Sequence, residues 1–317
     1  MKIQSISSLK GVLLLSGAVF LTACGGGGGG DSSTGGGGRI EQNAVYINTA
    51  QNTVTAARDD GSVSPFGLVS LTGGQPFGLS VSPDSLHVAF KAINSAGTTN
   101  LFVSHSNGAY FTQVTDLPTG RSVKDVAWSP KGDQLVYLAD TVVANKQELF
   151  KTTAAFDSST NISSSNVRIS GSISRSTLDI AKPTWSPDGS KVAYLVTDSA
   201  YRTTNKVIGV NYHNVSIGRR HSVRLSTPVT FASYQDITGY AWSANGNRLA
   251  YLSNPANDGR ENVYQIDFTA ASLTPTAQSL GGGYSVLEVA YSADSQSMAT
   301  RRFNAGASQY RLKIENA

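Results

Sequence analysis

Cysteine occurs once, at Cys24, so no disulfide can form within the chain and its stability has to come from packing. Histidine is scarce as well. His87, His105, His213 and His221 fall at different places in the sequence with no two at the spacing of metal ligands, so neither a metal nor another cofactor is expected. The H-E-x-x-H and G-x-S-x-G signatures are both missing, and nothing follows the last repeat that would hold a hydrolase domain. The glycine-rich stretch Gly25 to Gly38 is followed by no G-x-x-x-x-G-K-[ST] and preceded by no strand, which excludes a phosphate-binding loop. A strong charge of one sign is also lacking: the formal net charge is +4, and +2 once Lys2 and Lys10 are removed. A nucleic-acid binder needs a basic stripe. The one local cluster, Arg219, Arg220, His221 and Arg224, with Arg301 and Arg302 elsewhere, reads as a solvated hairpin end. No nucleic-acid partner is expected.

What is present begins at the N-terminus. Lys2 and Lys10 flank a polar start, and Gly11 to Leu21 is an apolar run of signal-peptide length, too short to span a bilayer as a helix. The next residues, Leu21-Thr22-Ala23-Cys24, resemble the bacterial lipobox. That resemblance implies a signal peptide over residues 1–23 and an acylated Cys24 as the mature N-terminus. Acyl chains at ~0.8 kcal/mol per buried CH2 would hold the protein on a membrane. The residue after it is Gly25 rather than the aspartate that retains such lipoproteins at the inner membrane, so an outer-membrane anchor facing the periplasm or the cell surface is expected. Residues 24–39 have almost no side chain to bury and read as a flexible tether with a reach of about 20 Å.

Residues 40–317 carry a repeat. Trp128-Ser129-Pro130-Lys131-Gly132, Trp185-Ser186-Pro187-Asp188-Gly189 and Trp242-Ser243-Ala244-Asn245-Gly246 are separated by 57 residues each and take all three tryptophans of the chain. Weaker copies stand at Val81-Ser82-Pro83-Asp84 and Tyr291-Ser292-Ala293-Asp294. Seven residues after each anchor comes Val88, Leu135, Val192, Leu249 or Met298, and nine after it Phe90, Tyr137, Tyr194, Tyr251 or Thr300. The residues between them are Ala89, Val136, Ala193, Ala250 and Ala299, so both faces are apolar, as in a strand buried between two sheets. Proline suits the second turn position, and glycine the left-handed one. Further strands are predicted at 101–104, 149–152, 207–211, 263–268 and 310–314, with a fourth at 113–115, 167–169 or 223–225. About four short strands per unit at such a period point to propeller blades.

The aromatic-Ser-Pro-Asp-Gly turn followed by an apolar strand resembles the TolB-like, WD-type propeller repeat family, over essentially Ala44 to the C-terminus. The resemblance implies an all-β fold of four-stranded antiparallel blades. An N-terminal piece (strands at 45–48, 53–57 and 68–71), four full units and a C-terminal piece count six blades, or five if the two ends share one and so close the ring. Copy five has neither proline nor glycine in its turn, so a looser last blade is expected.

The first strand of each blade should run nearest the axis. Asp125, Lys182 and Glu288 lie three positions before an anchor, and Asp179 and Asp236 six before. They are the candidates for binding a small ligand in a central funnel, against the alternative of solvated or paired strand ends. The resemblance implies a monomeric, membrane-anchored scaffold without catalytic residues that presents its loops to an envelope protein. The alternatives are a propeller-type polysaccharide lyase, which the scattered histidines disfavour, and a glycan- or small-molecule-binding lipoprotein.

Overall fold

In a computed structural model, the described residues are 14–15, 18–19, 43–58, 66–70, 74–152, 166–170, 178–198, 206–214, 219–224, 237–254, 260–270, 276–278 and 284–316. Cys24, the rest of residues 24–39 and Asp236 lie outside them. The described elements are all strands. The chain divides into two compact units, one of residues 1–120 with 154–165 and one of 121–153 with 166–317.

The first unit begins with a two-residue pairing of β1 (Leu14–Leu15) and β2 (Ala18–Val19). A three-stranded antiparallel sheet follows, β3 (Asn43–Asn48), β4 (Thr53–Arg58) and β5 (Phe66–Ser70). Next comes a four-stranded sheet in sequential order, β6 (Gln75–Val81), β7 (His87–Ile93), β8 (Thr99–His105) and β9 (Phe111–Gln113). Val45, Val54 and Ala56 of the first sheet pack on Val88 and Phe90 of the second.

The second unit holds three four-stranded sheets and a final three-stranded one. They are β10 (Val123–Trp128), β11 (Leu135–Ala139), β12 (Glu148–Thr152) and β13 (Asn166–Arg168); then β14 (Leu178–Trp185), β15 (Lys191–Asp198), β16 (Lys206–Asn214) and β17 (Arg219–Arg224). After them come β18 (Ile237–Trp242), β19 (Arg248–Ser253), β20 (Asn262–Asp267) and β21 (Thr276–Gln278), and last β22 (Ser285–Tyr291), β23 (Ser297–Asn304) and β24 (Gln309–Asn316). Every sheet is an antiparallel meander in chain order, the arrangement expected of blades. Among the described residues each end segment contributes three strands, β3–β5 and β22–β24.

The second strands β11, β15 and β19 are the most continuously buried, over Leu135–Ala139, Val192–Val196 and Leu249–Ser253. In β7, Val88, Ala89 and Phe90 are fully buried. The second-strand aromatic pairs across to the third strand as Phe90–Phe102, Tyr137–Phe150 and Tyr251–Tyr264, each stacked at 5.4 Å. The fourth strand ends earlier than the apolar pattern suggests. Thr115 is buried, and its hydroxyl accepts the Leu101 N–H and donates to Asn100, replacing a backbone ladder with a side chain. Ser170 does the same for the Leu149 N–H.

The repeated turn has one hydrogen-bond pattern in all five copies. The serine after the anchor receives the N–H of the residue five further on, at His87, Gln134, Lys191, Arg248 and Ser297. Its own hydroxyl donates to Asp84, Asp188, Asn245 or Asp294. In the second copy Lys131 occupies that place and Asp133 substitutes, at 2.6 Å. The left-handed residue is Ser85 (φ 63°), Gly132 (77°), Gly189 (72°), Gly246 (70°) or Ser295 (61°). Copy five therefore keeps the turn without proline or glycine. Ser295 is buried, and its Oγ accepts the Asn245 N–H of the preceding turn at 3.0 Å.

Candidate functional site

Within the second unit, the same neighbour-to-neighbour contacts recur between first strands. The Trp185 indole N–H donates to the Ala127 carbonyl at 3.1 Å, and the Trp242 N–H to the Thr184 carbonyl at 3.3 Å. The acceptor is in both cases the residue just before the preceding anchor. Tyr291 replaces the indole in the last copy and accepts from Gln265 Nε2 at 2.8 Å. Each indole thus links two sheets and shields the apolar residues between them, such as Ala193, Leu195, Leu249 and Tyr251. The equivalence of Trp185 and Trp242 is what related blades require.

The residues three before the anchor stand where every first strand breaks register. The irregularities lie between Phe77 and Ser80, Val123 and Val126, Ala181 and Thr184, Ile237 and Gly239, and Val286 and Glu288. Asp125 and Lys182 therefore sit inside a β-bulge and Glu288 at the edge of one, where pairing resumes opposite Arg301, and such bulges bend the strand and re-aim its side chains. Gly78 occupies the bulge of the first copy with φ 64°, and Lys182 takes a similar φ of 51°.

Each candidate has a place in this frame. Asp125 Oδ1 accepts the Val126 N–H at 2.9 Å, stabilising the bulge. Glu288 forms a two-bonded ion pair with Arg301 at 3.0 and 2.9 Å, and the guanidinium holds its carboxyl below the ordinary value. Asp179 Oδ1 accepts the Gln147 N–H at 2.7 Å, and so ties the β11–β12 connection to β14. Lys182 is exposed, and its carbonyl accepts the Tyr240 hydroxyl. Asp236 lies outside the described residues.

Tyr240 ties two of the first strands, β18 and β14, together, and the sequence reading passed over it. Its hydroxyl lies 3.1 Å from Thr184 Oγ1 and bonds the Lys182 carbonyl of β14. Burial pushes its phenol up to about 12; the Thr184 hydrogen bond acts the other way and the charge of Asp125 on β10 adds to the rise. At physiological pH the phenol is therefore a neutral donor. A signal existed: two positions before the anchor the other copies carry Leu79, Val126, Pro183 and Val289, so Tyr240 is the one hydroxyl in an apolar column. Among the described residues no group of three or more His, Cys, Asp or Glu side chains converges. Two histidines, His87 and His105, do meet, across β7 and β8.

No protein-family model matches the chain, and no curated protein matches it. Solved structures do. The chain is similar to dipeptidyl peptidase 4 of Porphyromonas gingivalis, with a TM-score of 0.56 and 12% identity over 86% of this chain and 44% of that one. It is similar to prolyl oligopeptidase B of Galerina marginata, with a TM-score of 0.54 and 9% identity over 87% of this chain and 41% of that one. TolB of Acinetobacter baumannii also matches, with a TM-score of 0.38 and 16% identity over 86% of this chain and 62% of that one. The chain spans about two-fifths of the length of the two peptidases. Likeness at this identity concerns the fold alone, which is of the β-propeller class.

Proposed function

We propose that this chain is a lipid-anchored propeller of the bacterial outer membrane, one blade per three- or four-stranded sheet and six in all, that binds an envelope protein and catalyses no reaction. Cys24 is the lipidated residue, and residues 24–39 give the propeller freedom to find its partner from the periplasmic or outer face of the membrane. The observation that supports a scaffold is the work of the polar side chains on the first strands. Asp125 stabilises a bulge, Asp179 ties down a connection and Glu288 is clamped by Arg301. With these groups committed to the frame, the loops and rims are the surface left for recognition.

Two measurements test this reading. Metabolic labelling with palmitate should mark the wild type, and Cys24→Ser should lose both the label and membrane retention; a variant that stays labelled removes the anchor. Crosslinking in intact envelopes should trap one protein at near-stoichiometric yield, whereas turnover of an envelope polysaccharide by the purified chain overturns the non-catalytic reading. A second reading, a small-molecule or glycan site on the first strands, is favoured by the exposed Lys182 beside the Tyr240 hydroxyl. It predicts a saturable rise in Tm with a glycan that Lys182→Ala removes.

A further inference from the structure

His87 opens β7 and His105 closes β8, and the two are register partners. The Ser106 N–H donates to the Leu86 carbonyl at 2.8 Å, just beyond the pair, while the backbone groups of His87 bond Ser82 on the other side. His87 and His105 are therefore a non-hydrogen-bonded pair, the type in which facing side chains stand closest. Their rings lie 5.6 Å apart, edge to face. Tyr110 completes the group: its ring is 5.3 Å from that of His105, and its hydroxyl is 3.3 Å from His87 Nε2.

We propose that His87, His105 and Tyr110 form a binding site for a divalent ion of the copper and zinc class. Two imidazoles with a phenol oxygen are the donor set that such borderline ions prefer over magnesium or calcium. The 3.3 Å between His87 Nε2 and the Tyr110 oxygen is also the edge of a tetrahedron with arms of about 2.0 Å, the length of a zinc–nitrogen bond. All three side chains are half-buried. Two other copies place polar residues at the same register position. Arg248 and Asp267 meet across β19 and β20 as an ion pair at 3.6 Å, and Lys191 stands opposite Tyr212. Among the described residues the same register position thus pairs polar residues, and it is His87 and His105 that bring two imidazoles together there.

Binding has a local cost. His105 Nδ1 accepts the Asn107 N–H at 3.2 Å, so in the neutral ring the proton sits on Nε2. An ion on Nε2 moves that proton to Nδ1, and an ion on Nδ1 replaces the amide. Either way the Asn107 N–H loses its acceptor, in an exposed turn where water takes over.

The test is titration of the full chain with Cu2+, read by calorimetry and by electron paramagnetic resonance. One ion should bind per chain with the hyperfine pattern of two imidazole nitrogens. His87→Gln and His105→Gln should each remove one nitrogen and weaken binding by about ten-fold or more. Binding replaces the His87–Tyr110 hydrogen bond and releases the phenol proton to solvent, so Tyr110→Phe should keep both nitrogens, release no such proton and lose the visible phenolate-to-copper band. His213→Gln and Cys24→Ser should leave this ion unchanged. Absence of a two-nitrogen complex in the folded wild type, or its survival in the His87→Gln, His105→Gln double variant, overturns the site.

Discussion

The sheets β18–β21 and β22–β24 are neighbours built on the same turn and the same bulge, yet they differ in how much they bury. In the first, Leu249, Ala250, Tyr251 and Leu252 are all within 2% of complete burial. One face is covered by Ala193 and Leu195, the other by Val286 and Met298 of the last sheet. In the last sheet the inward face packs in the same way, but Tyr310, Leu312 and Ile314 on its outermost strand are 65%, 72% and 68% exposed. They share that outward face with Phe303, Arg301 and Ala299, their register partners. The turn survives unchanged because its hydrogen bonds all lie within six residues. Burial does not, because it depends on what stands alongside.

The largest effect should come from the core that this comparison rests on. Leu249→Ala should cost about 2–5 kcal/mol in urea unfolding, for a fully buried side chain between two sheets. Leu312→Ala should stay within about 0.5 kcal/mol, as an exposed substitution does. A Leu312→Ala cost of 2 kcal/mol or more would show that another surface covers the last sheet in solution.

Next is the left-handed turn position, where glycine and serine exchange between copies. Gly246 has φ 70°, and a Cβ there would lie 2.7 Å from the Asp188 carboxylate of the preceding turn. Gly246→Ala should therefore destabilise by about 1–3 kcal/mol, from backbone strain and the clash together. Ser295→Ala should cost less, about 1 kcal/mol, since it keeps the strain already present and loses one hydrogen bond from the Asn245 N–H. Equal losses at the two positions would remove the account given for the serine copy.

The repeat, the buried second strand and the division into sheets were legible in the sequence, because turn chemistry and alternating burial are local properties. The site was less so. Asp125, Lys182 and Glu288 were picked out by their common offset, which turned out to mark a bulge; the offset identified a backbone feature and carried no information on ligands. Tyr240 was missed because its partners, Thr184 and the Lys182 carbonyl, come from another sheet 56 and 58 residues away. The meeting of His87 and His105 depends on a hairpin register that no local motif encodes.

A smaller effect should appear with pH. Burial tends to raise the Asp188 carboxyl, but hydrogen bonds from Ser186 and from the Ser190 side chain and N–H, with the charge of Lys191, hold it below its ordinary value. A carboxyl lowered by folding stabilises the native state above its unfolded pKa, about 3.9, and that contribution is lost as pH falls through the lower folded value. Asp188→Asn should thus flatten the fall in urea stability below pH 4. Identical slopes in wild type and Asp188→Asn would mean that the Asp188 carboxylate does not respond to folding.

The smallest effect concerns the bulge. Lys182 holds φ 51° where the first copy has Gly78 at 64°. A left-handed conformation costs a residue with a Cβ roughly 1 kcal/mol, while glycine loses more chain entropy on folding, so the two terms oppose. The Lys182 carbonyl, which Tyr240 bonds, is present with either side chain. Lys182→Gly should therefore change stability little, by about 0.5 kcal/mol in the favourable direction, with the Tyr240 contact intact. Lys182→Ala keeps the Cβ and should show no such gain. A loss with glycine but not with alanine would mean that this bulge is held by something other than its backbone, and that the offset shared with Asp125 and Glu288 has a second meaning.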